Sequence, residues 1–154
     1  MKTESTLGKA LIVHLVLLAY WFPALIADTV IQFSTCWKYD GTCHIYTDYA
    51  TNWGQALISV HLITSIAITA MDMKYNGVTE MLIHLRNRVA HVAMLFSILL
   101  TLDFVVLQSE SGIYKVSKWT LQHVHEHLMN SIVMLISVFS LNCHFRKRDF
   151  WLGK

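Results

Sequence analysis

Four long apolar stretches are the feature that most constrains the fold of this chain. They cover residues 10–27, 53–71, 89–107 and 119–141. Crossing a hydrocarbon core about 30 Å thick takes about 20 helical residues, so each stretch is long enough to span a bilayer. Hydrophobic residues make up 55% of the 154 residues, which is more apolar surface than a small soluble domain can bury. We therefore expect a single all-α domain, a four-transmembrane-helix bundle whose solvent is the lipid bilayer.

The distribution of positive charge predicts that both termini are cytoplasmic. In that orientation nine Lys and Arg residues lie inside and three lie outside: Lys2, Lys9, Lys74, Arg86, Arg88, Arg146, Lys147, Arg148 and Lys154 against Lys38, Lys115 and Lys118. Cytoplasmic segments are enriched in such residues, and Trp21, Trp53 and Trp119 would then line the outer interface. The first stretch exceeds the usual core of a cleaved signal peptide, so we expect it to be retained as a span.

The three cysteines lie outside the apolar stretches. Cys36 and Cys43 fall in the predicted outer loop over residues 28–52, where an oxidising compartment favours a disulfide between them. The aromatic residues of this loop would either contact a partner or pack over the bundle itself. Cys143 precedes a basic cluster at residues 146–148, a setting that suits palmitoylation or contact with anionic headgroups. The alternative is an ordinary cysteine buried at the membrane edge.

The second and fourth stretches resemble each other. Trp53, His61-Leu62 and Ser65-Ile66 recur as Trp119, His127-Leu128 and Ser131-Ile132, always 66 residues later. Such an offset suggests a duplicated helical hairpin. In the loop between the second and third stretches, Thr79 is positioned to cap the helix that leads into the third.

Ionisable residues inside the stretches form the candidate site, because such groups are costly in lipid and normally face protein. Asp103, His61, His123 and His127 would share the outer half of the bundle. Three interpretations stay open. The residues hydrogen-bond across helices, they bind a divalent metal ion, or the histidines ligate haem b. In the haem arrangement the ligands form two layers, His61 with His127 and His14 with His91.

The function that these features favour is that of a non-enzymatic accessory or structural subunit in a larger integral-membrane complex. No nucleophile and base are paired, no redox CxxC is present, and the extramembrane segments are short. Small residues on the second stretch, Gly54 among them, favour close helix packing. The alternatives are a haem-binding electron-transfer subunit and a small proton or metal-ion transporter. No phosphate loop or basic run interleaved with aromatics points to nucleic acid.

Several scattered residues carry a resemblance to a known family. Ala27-Asp28, Cys36, Tyr39-Asp40, Tyr49, a following span and Thr79-Glu80-Met81 resemble the small four-span accessory subunit of the sperm CatSper calcium channel. The loop lengths are similar to those of ciliary transition-zone tetraspans. The resemblance covers about half of the chain and implies a subunit of a plasma, ciliary or flagellar membrane without catalysis. The longer outer loop, its second cysteine and the histidine-rich fourth stretch depart from both patterns.

Overall fold

The structure, a computed structural model, describes residues 4–39, 50–75, 78–108 and 124–141. Helix α1 is Glu4–Tyr39, α2 is Ala50–Tyr75 and α3 is Glu80–Leu102, which continues as a π-helical segment over Asp103–Gln108. A second π-helical segment, His125–Met129, leads into α4 over Asn130–Ser140. These ranges contain helix and no strand, which confirms the all-α prediction.

Three of these helices are long and apolar enough to cross a membrane, over Thr6–Ile31, Thr51–Tyr75 and Glu80–Val106. Their existence follows from the blocks of apolar residues, as predicted. The apolar part of the fourth helix that the structure describes is shorter, His127–Ser140, and the start of the predicted fourth span lies outside the described residues. Four crossings and cytoplasmic termini stay predictions.

Helix boundaries differ from the sequence prediction at the end of α1. The helix does not end at Ala27 but continues to Tyr39, because apolar and aromatic residues follow Asp28 with no helix breaker among them. It also runs through Pro23. Cys36 therefore lies in a helix and not in a loop, whereas Cys43 lies outside the described residues. Thr79 does precede α3 in an extended conformation, yet its side chain makes no capping hydrogen bond.

Buried residues recur along the helices at alternating intervals of four and three. This spacing produces the inward-facing seam of a left-handed bundle, in which side chains interdigitate like those of a coiled coil. The seam is formed by Ala10, His14, Leu17, Trp21 and Asp28 on α1, by Arg86, Ala90, Ala93, Ser97, Leu100 and Phe104 on α3 and its extension, and by Asn130, Met134, Ser137 and Leu141 on α4. Several seam positions carry polar side chains.

Each helix runs antiparallel to the helix that precedes it in the chain. The C-terminal half of α1 contacts the start of α2 through Asp28 and Gln55, and its N-terminal half contacts the end of α4 through His14 and Ser137. Side chains of α3 pack directly on Gly54 of α2, where an added Cβ atom would lie 2.5 Å from Leu100 Cδ1. The close packing expected from the small residues of α2 is therefore confirmed at this position.

The outward faces of the helices carry large apolar side chains. Ile12, Val16, Leu99 and Phe139 are all more than half exposed. A protein in water would bury such a surface, whereas a bilayer accepts it without cost. The exposed apolar surface and the helix lengths are both consistent with a membrane protein.

Candidate functional site

The interior of the bundle holds two groups of polar side chains. Each group links α1, α2 and the continuous helix formed by the second π-helical segment and α4. We name them the His–Ser layer, composed of His14, His61, Ser65 and Ser137, and the Asp–His layer, composed of Asp28, Gln55 and His125. All seven residues are buried. Along α1, His14 and Asp28 are fourteen positions or about 21 Å apart, whereas along α2 Gln55 and His61 are six positions or about 9 Å apart.

The His–Ser layer is centred on the Ser137 hydroxyl of α4. His14 Nε2 lies 2.8 Å from Ser137 Oγ, and His61 Nε2 lies 2.7 Å from the same atom. The two imidazole rings meet edge to face with their centroids 6.2 Å apart. One hydroxyl group thus connects two histidines from two different helices.

The hydrogen bonds of this layer have a defined direction when both imidazoles are neutral. His14 Nδ1 lies 2.7 Å from the Ala10 carbonyl oxygen. Because a carbonyl oxygen only accepts, His14 Nδ1 carries the proton and His14 Nε2 accepts from the Ser137 hydroxyl. The Ser137 oxygen then accepts from His61 Nε2. A longer contact of 3.5 Å, from Ser65 Oγ to His61 Nδ1, begins the chain, which ends on the Ala10 carbonyl group.

Trp21 occupies the interior between the two layers. Its side chain is fully buried, and its Nε1–H group donates to Ser59 Oγ at 3.1 Å. Its indole ring also contacts the His125 ring, with centroids 5.2 Å apart. Trp21 is therefore a core residue. Its position in the sequence predicted a place in the outer aromatic belt, and that prediction is wrong.

The Asp–His layer is centred on the Asp28 carboxylate of α1. His125 Nδ1 lies 2.7 Å from Asp28 Oδ2, and Gln55 Nε2 donates to the same oxygen at 3.2 Å. The carboxylate fixes the orientation of the His125 ring and keeps its proton on Nδ1, so that Nε2 presents a lone pair. Within the described residues, this buried Nε2 atom has no hydrogen-bond partner.

Sequence analysis missed His125, and the reason is the π-helical segment. In a regular α-helix the positions nearest the seam before Asn130 would be Glu126 and His127, four and three positions earlier. The π-helical segment over His125–Met129 inserts an extra residue into this turn, because its hydrogen bonds span five residues. His125, five positions before Asn130, consequently takes the buried place. The one sequence signal for this layer is that His14, Trp21 and Asp28 follow one another at intervals of seven residues, which places them on the same face of a helix.

The carboxylate that contacts a buried histidine in the structure is not the one predicted for the outer half of the bundle. Asp103 is exposed at the start of its π-helical segment, whereas Asp28 is the buried carboxylate that contacts a histidine. His61 contacts His14 and Ser137 in the His–Ser layer, so the expected assignment of His14 and His61 to different layers is wrong. His123 lies outside the described residues.

The remaining predicted histidines have other surroundings. The His127 ring stacks on Phe104 with its centroid 4.2 Å away, and the Thr101 hydroxyl donates to the His127 carbonyl oxygen. His91 is buried on α3. His61 and His127 correspond in the proposed repeat, yet the first lies in a hydrogen-bonded layer and the second in an aromatic stack.

The described residues offer limited ligand sets for a metal or cofactor. They contain no group of three or more His, Cys, Asp and Glu side chains placed to hold a metal ion. Ser137 Oγ lies between the Nε2 atoms of His14 and His61, so these two histidines could ligate one iron only if Ser137 moved away. His125 is the described histidine whose geometry suits a ligand, since metal-bound imidazoles usually donate their other N–H group to a carboxylate or carbonyl group.

Comparison with known proteins found no family model, no curated protein and no solved structure that matches this chain.

Proposed function

We propose that this chain is a non-enzymatic accessory or structural subunit of a larger integral-membrane complex, such as a channel, transporter or ciliary assembly. The observation that carries the proposal is the way in which the interior polar groups are used. In the His–Ser layer both nitrogens of each histidine contact a hydroxyl or carbonyl group within the bundle. Such a layer holds helices in register and leaves no group over for a substrate.

The energetics of buried polar groups support a structural role for the His–Ser layer. A polar group buried without a partner costs several kcal/mol in an apolar medium, so the helices are held where the partners meet. Sliding α4 by one residue would take Ser137 away from both His14 and His61. Interhelical hydrogen bonds in membranes stabilise by about 0.6 kcal/mol on average, so the layer contributes more to the choice of register than to total stability.

The same geometry speaks against the transporter alternative. A proton that followed the hydrogen bonds of the His–Ser layer would reach the Ala10 carbonyl oxygen, which forms part of a helix backbone and passes no proton on. Trp21 fills the interior between this layer and the next. A relay through the bundle would require both features to rearrange.

The outer surface supports association with a partner. At 36 residues, α1 is about 54 Å long, whereas the hydrocarbon core is about 30 Å thick. One end of this helix therefore extends beyond the bilayer and offers a helical surface to another subunit. The resemblance noted above favours a plasma, ciliary or flagellar membrane for such a complex. A Cys36–Cys43 disulfide and lipidation at Cys143 stay predictions.

Co-purification tests this proposal directly. The tagged full-length chain would be extracted from its native membrane with a mild detergent and analysed by native mass spectrometry. We expect a larger integral-membrane protein at fixed stoichiometry, which is lost when the same sample is re-extracted in a harsh detergent. Recovery of the chain alone, or only with lipid, under mild extraction would contradict the proposal.

The second candidate function is a haem-binding electron-transfer subunit. The observation that favours it is the Asp28–His125 pair, with its buried imidazole nitrogen. This pair uses a histidine other than those that the sequence suggested as haem ligands.

A further inference from the structure

We propose that the π-helical segment His125–Met129, which we call the π turn, is a two-state element that converts between π-helix and regular α-helix. In the π form, which the structure shows, His125 lies against Asp28. In the α form, His125 rotates away from Asp28 and Glu126 takes its position on the seam. The inference does not rest on the accessory-subunit proposal, because the turn belongs to the chain whether or not a larger partner binds.

The first argument is the spacing of the buried residues around the turn. Asn130, Met134, Ser137 and Leu141 are buried at the alternating intervals of four and three that an α-helix in a bundle requires. Among the described side chains, the next buried one towards the N-terminus is that of His125, five positions before Asn130. The π turn therefore holds one residue more than α-helical spacing needs. Single π-helical turns of this kind frequently lie at functional sites.

The second argument is that different helices hold the two ends of the π turn. At its N-terminal end, His125 Nδ1 lies 2.7 Å from Asp28 Oδ2 of α1, and Gln55 of α2 donates to the same oxygen. Near its middle, the Thr101 hydroxyl of α3 donates to the His127 carbonyl oxygen. The extra residue is accommodated between these two sets of contacts. Loss of the first set therefore releases His125 without breaking the second.

The contacts with α3 form the fixed part of the element. The Phe104 ring is fully buried and stacks on His127, with centroids 4.2 Å apart. Thr101 Oγ1 also lies 2.9 Å from Ser131 Oγ. Neither contact involves Asp28, so α4 keeps its place while His125 moves. Conversion to α-helix rotates His125, and the chain that precedes it, by about 100° and shifts them by about 1.5 Å relative to α4.

The third argument is electrostatic and explains why the chain adopts the π form. In the α form, the residue four positions before Asn130 is Glu126. Its carboxylate would then approach the buried carboxylate of Asp28, and like charges repel strongly in an apolar interior. In the π form a histidine that donates to Asp28 occupies this position instead. The choice between the forms therefore depends on two carboxylates, which makes it reversible.

The test is nuclear magnetic resonance of the full-length chain in lipid nanodiscs, with isotopically labelled histidine. We expect a main His125 signal whose Nδ1–H group is bonded to Asp28. Saturation transfer should reveal a second His125 signal without this bond, populated at about 0.1–10%. His125→Gln assigns both signals by removing them. The His14 signals are the internal reference and should show no exchange, because His14 contacts α4 at Ser137.

One substitution changes the balance between the two forms. Glu126→Gln removes the repulsion that opposes the α form and preserves the size of the side chain. It should raise the population of the second signal by about tenfold or more, since bringing like charges together is costly. Asp72→Asn is the matched control, because it also removes a carboxylate but lies seventeen positions from Gln55 on α2. It should leave the populations unchanged.

Deletion of Glu126 tests the extra residue directly. It places His125 four positions before Asn130, so that a regular α-helix satisfies both the seam of α4 and the contact with Asp28. We expect the SDS concentration at the midpoint of unfolding to stay at or above that of the wild type, and the exchange of His125 to disappear. Deletion of Leu135, in the regular part of α4, is the control and should lower the midpoint because it breaks the seam.

Three results would overturn the proposal. The first is a single His125 signal without exchange in both the wild type and Glu126→Gln. The second is a loss of stability on deletion of Glu126 as large as that on deletion of Leu135, which would show that the turn holds no extra residue. The third is an equal rise of the second signal in Asp72→Asn and Glu126→Gln, which would show that repulsion between Glu126 and Asp28 does not hold the turn.

Discussion

The two polar layers join the same three helices but differ in how they use their histidines. In the His–Ser layer a neutral hydroxyl group connects two imidazoles, and both nitrogens of each ring have polar contacts. In the Asp–His layer a carboxylate holds one imidazole from one side, and the opposite nitrogen has no partner among the described residues. The first layer is complete as it stands, whereas the second presents a buried lone pair.

This difference predicts that the two layers respond differently to substitution. A closed set of neutral hydrogen bonds is expected to fix helix register and to tolerate little change at its centre. A carboxylate–imidazole pair carries charge into an apolar interior, which is expensive unless the pair is intact. Variants should therefore have larger effects in the Asp–His layer, and their sizes test whether the two layers are of different kinds.

The largest expected loss of stability is that of His125→Leu. Among the described residues, removing the histidine leaves the buried Asp28 carboxylate with the longer Gln55 bond. Deleting the hydrogen-bond donor of a buried charged group costs about 3 kcal/mol or more. Unfolding in mixed micelles with increasing SDS, followed by circular dichroism, measures the free energy. His127→Leu is the control and should cost about 1.5 kcal/mol or less, because the His127 ring is less buried than that of His125 and stacks on Phe104. Equal losses would contradict the comparison.

The second largest effect is expected at the centre of the His–Ser layer. Ser137→Ala removes the acceptor of His61 Nε2 and the donor of His14 Nε2 together. Unsatisfied buried groups cost about 1–3 kcal/mol, so the same SDS unfolding should show a loss in this range. Thr64→Ala is the control, since its hydroxyl donates to the Val60 carbonyl oxygen of its own helix and so joins no second helix in the part of the chain that the structure describes. A loss no greater than that of the control would contradict the structural role proposed for the His–Ser layer.

A smaller effect is expected at the end of the same chain of hydrogen bonds. Ser65→Ala removes the 3.5 Å contact with His61 Nδ1, which is at the limit of hydrogen-bond distance. We expect a loss of about 0.5–1 kcal/mol, at the low end for a single hydrogen bond. A loss equal to that of Ser137→Ala would show that His61 depends on Ser65 as much as on Ser137, which would contradict the assigned proton positions.

The sequence was sufficient to predict the helices because apolar blocks of this length have few alternatives. It also identified His14 and His61 as polar residues that face protein, since ionisable groups avoid lipid. Their pairing could not be predicted, because it depends on how far each helix is rotated and shifted. Ser137 illustrates this limit: it is a small polar residue within the fourth apolar stretch, and nothing in the sequence indicates that two histidines share its hydroxyl.

The Asp–His layer was beyond prediction for a different reason. Counting in α-helical steps puts Glu126 on the seam, and only the extra residue of the π-helical turn replaces it with His125. Asp103 attracted attention as a carboxylate inside an apolar stretch, whereas Asp28 stood at the predicted end of one. Because α1 continues to Tyr39, Asp28 lies within a helix, and its side chain is buried in the interior. The local spacing of apolar residues predicts neither the π-helical turn nor the continuation of α1.

The smallest expected effect is the coupling between the two layers, and it tests whether they act independently. Ser137 and Gln55 belong to different layers, and variants about 7–10 Å or more apart that share no partner normally add within about 0.3–0.5 kcal/mol. The losses caused by Ser137→Ala and Gln55→Met should therefore sum in the double variant, as measured by SDS unfolding. Ser137→Ala combined with Ser65→Ala is the matched cycle within one layer and should deviate from additivity, because both variants act on His61. Strong coupling in the first cycle would mean that Trp21, whose buried ring contacts His125 and whose Nε1–H group bonds to Ser59, transmits strain between the layers.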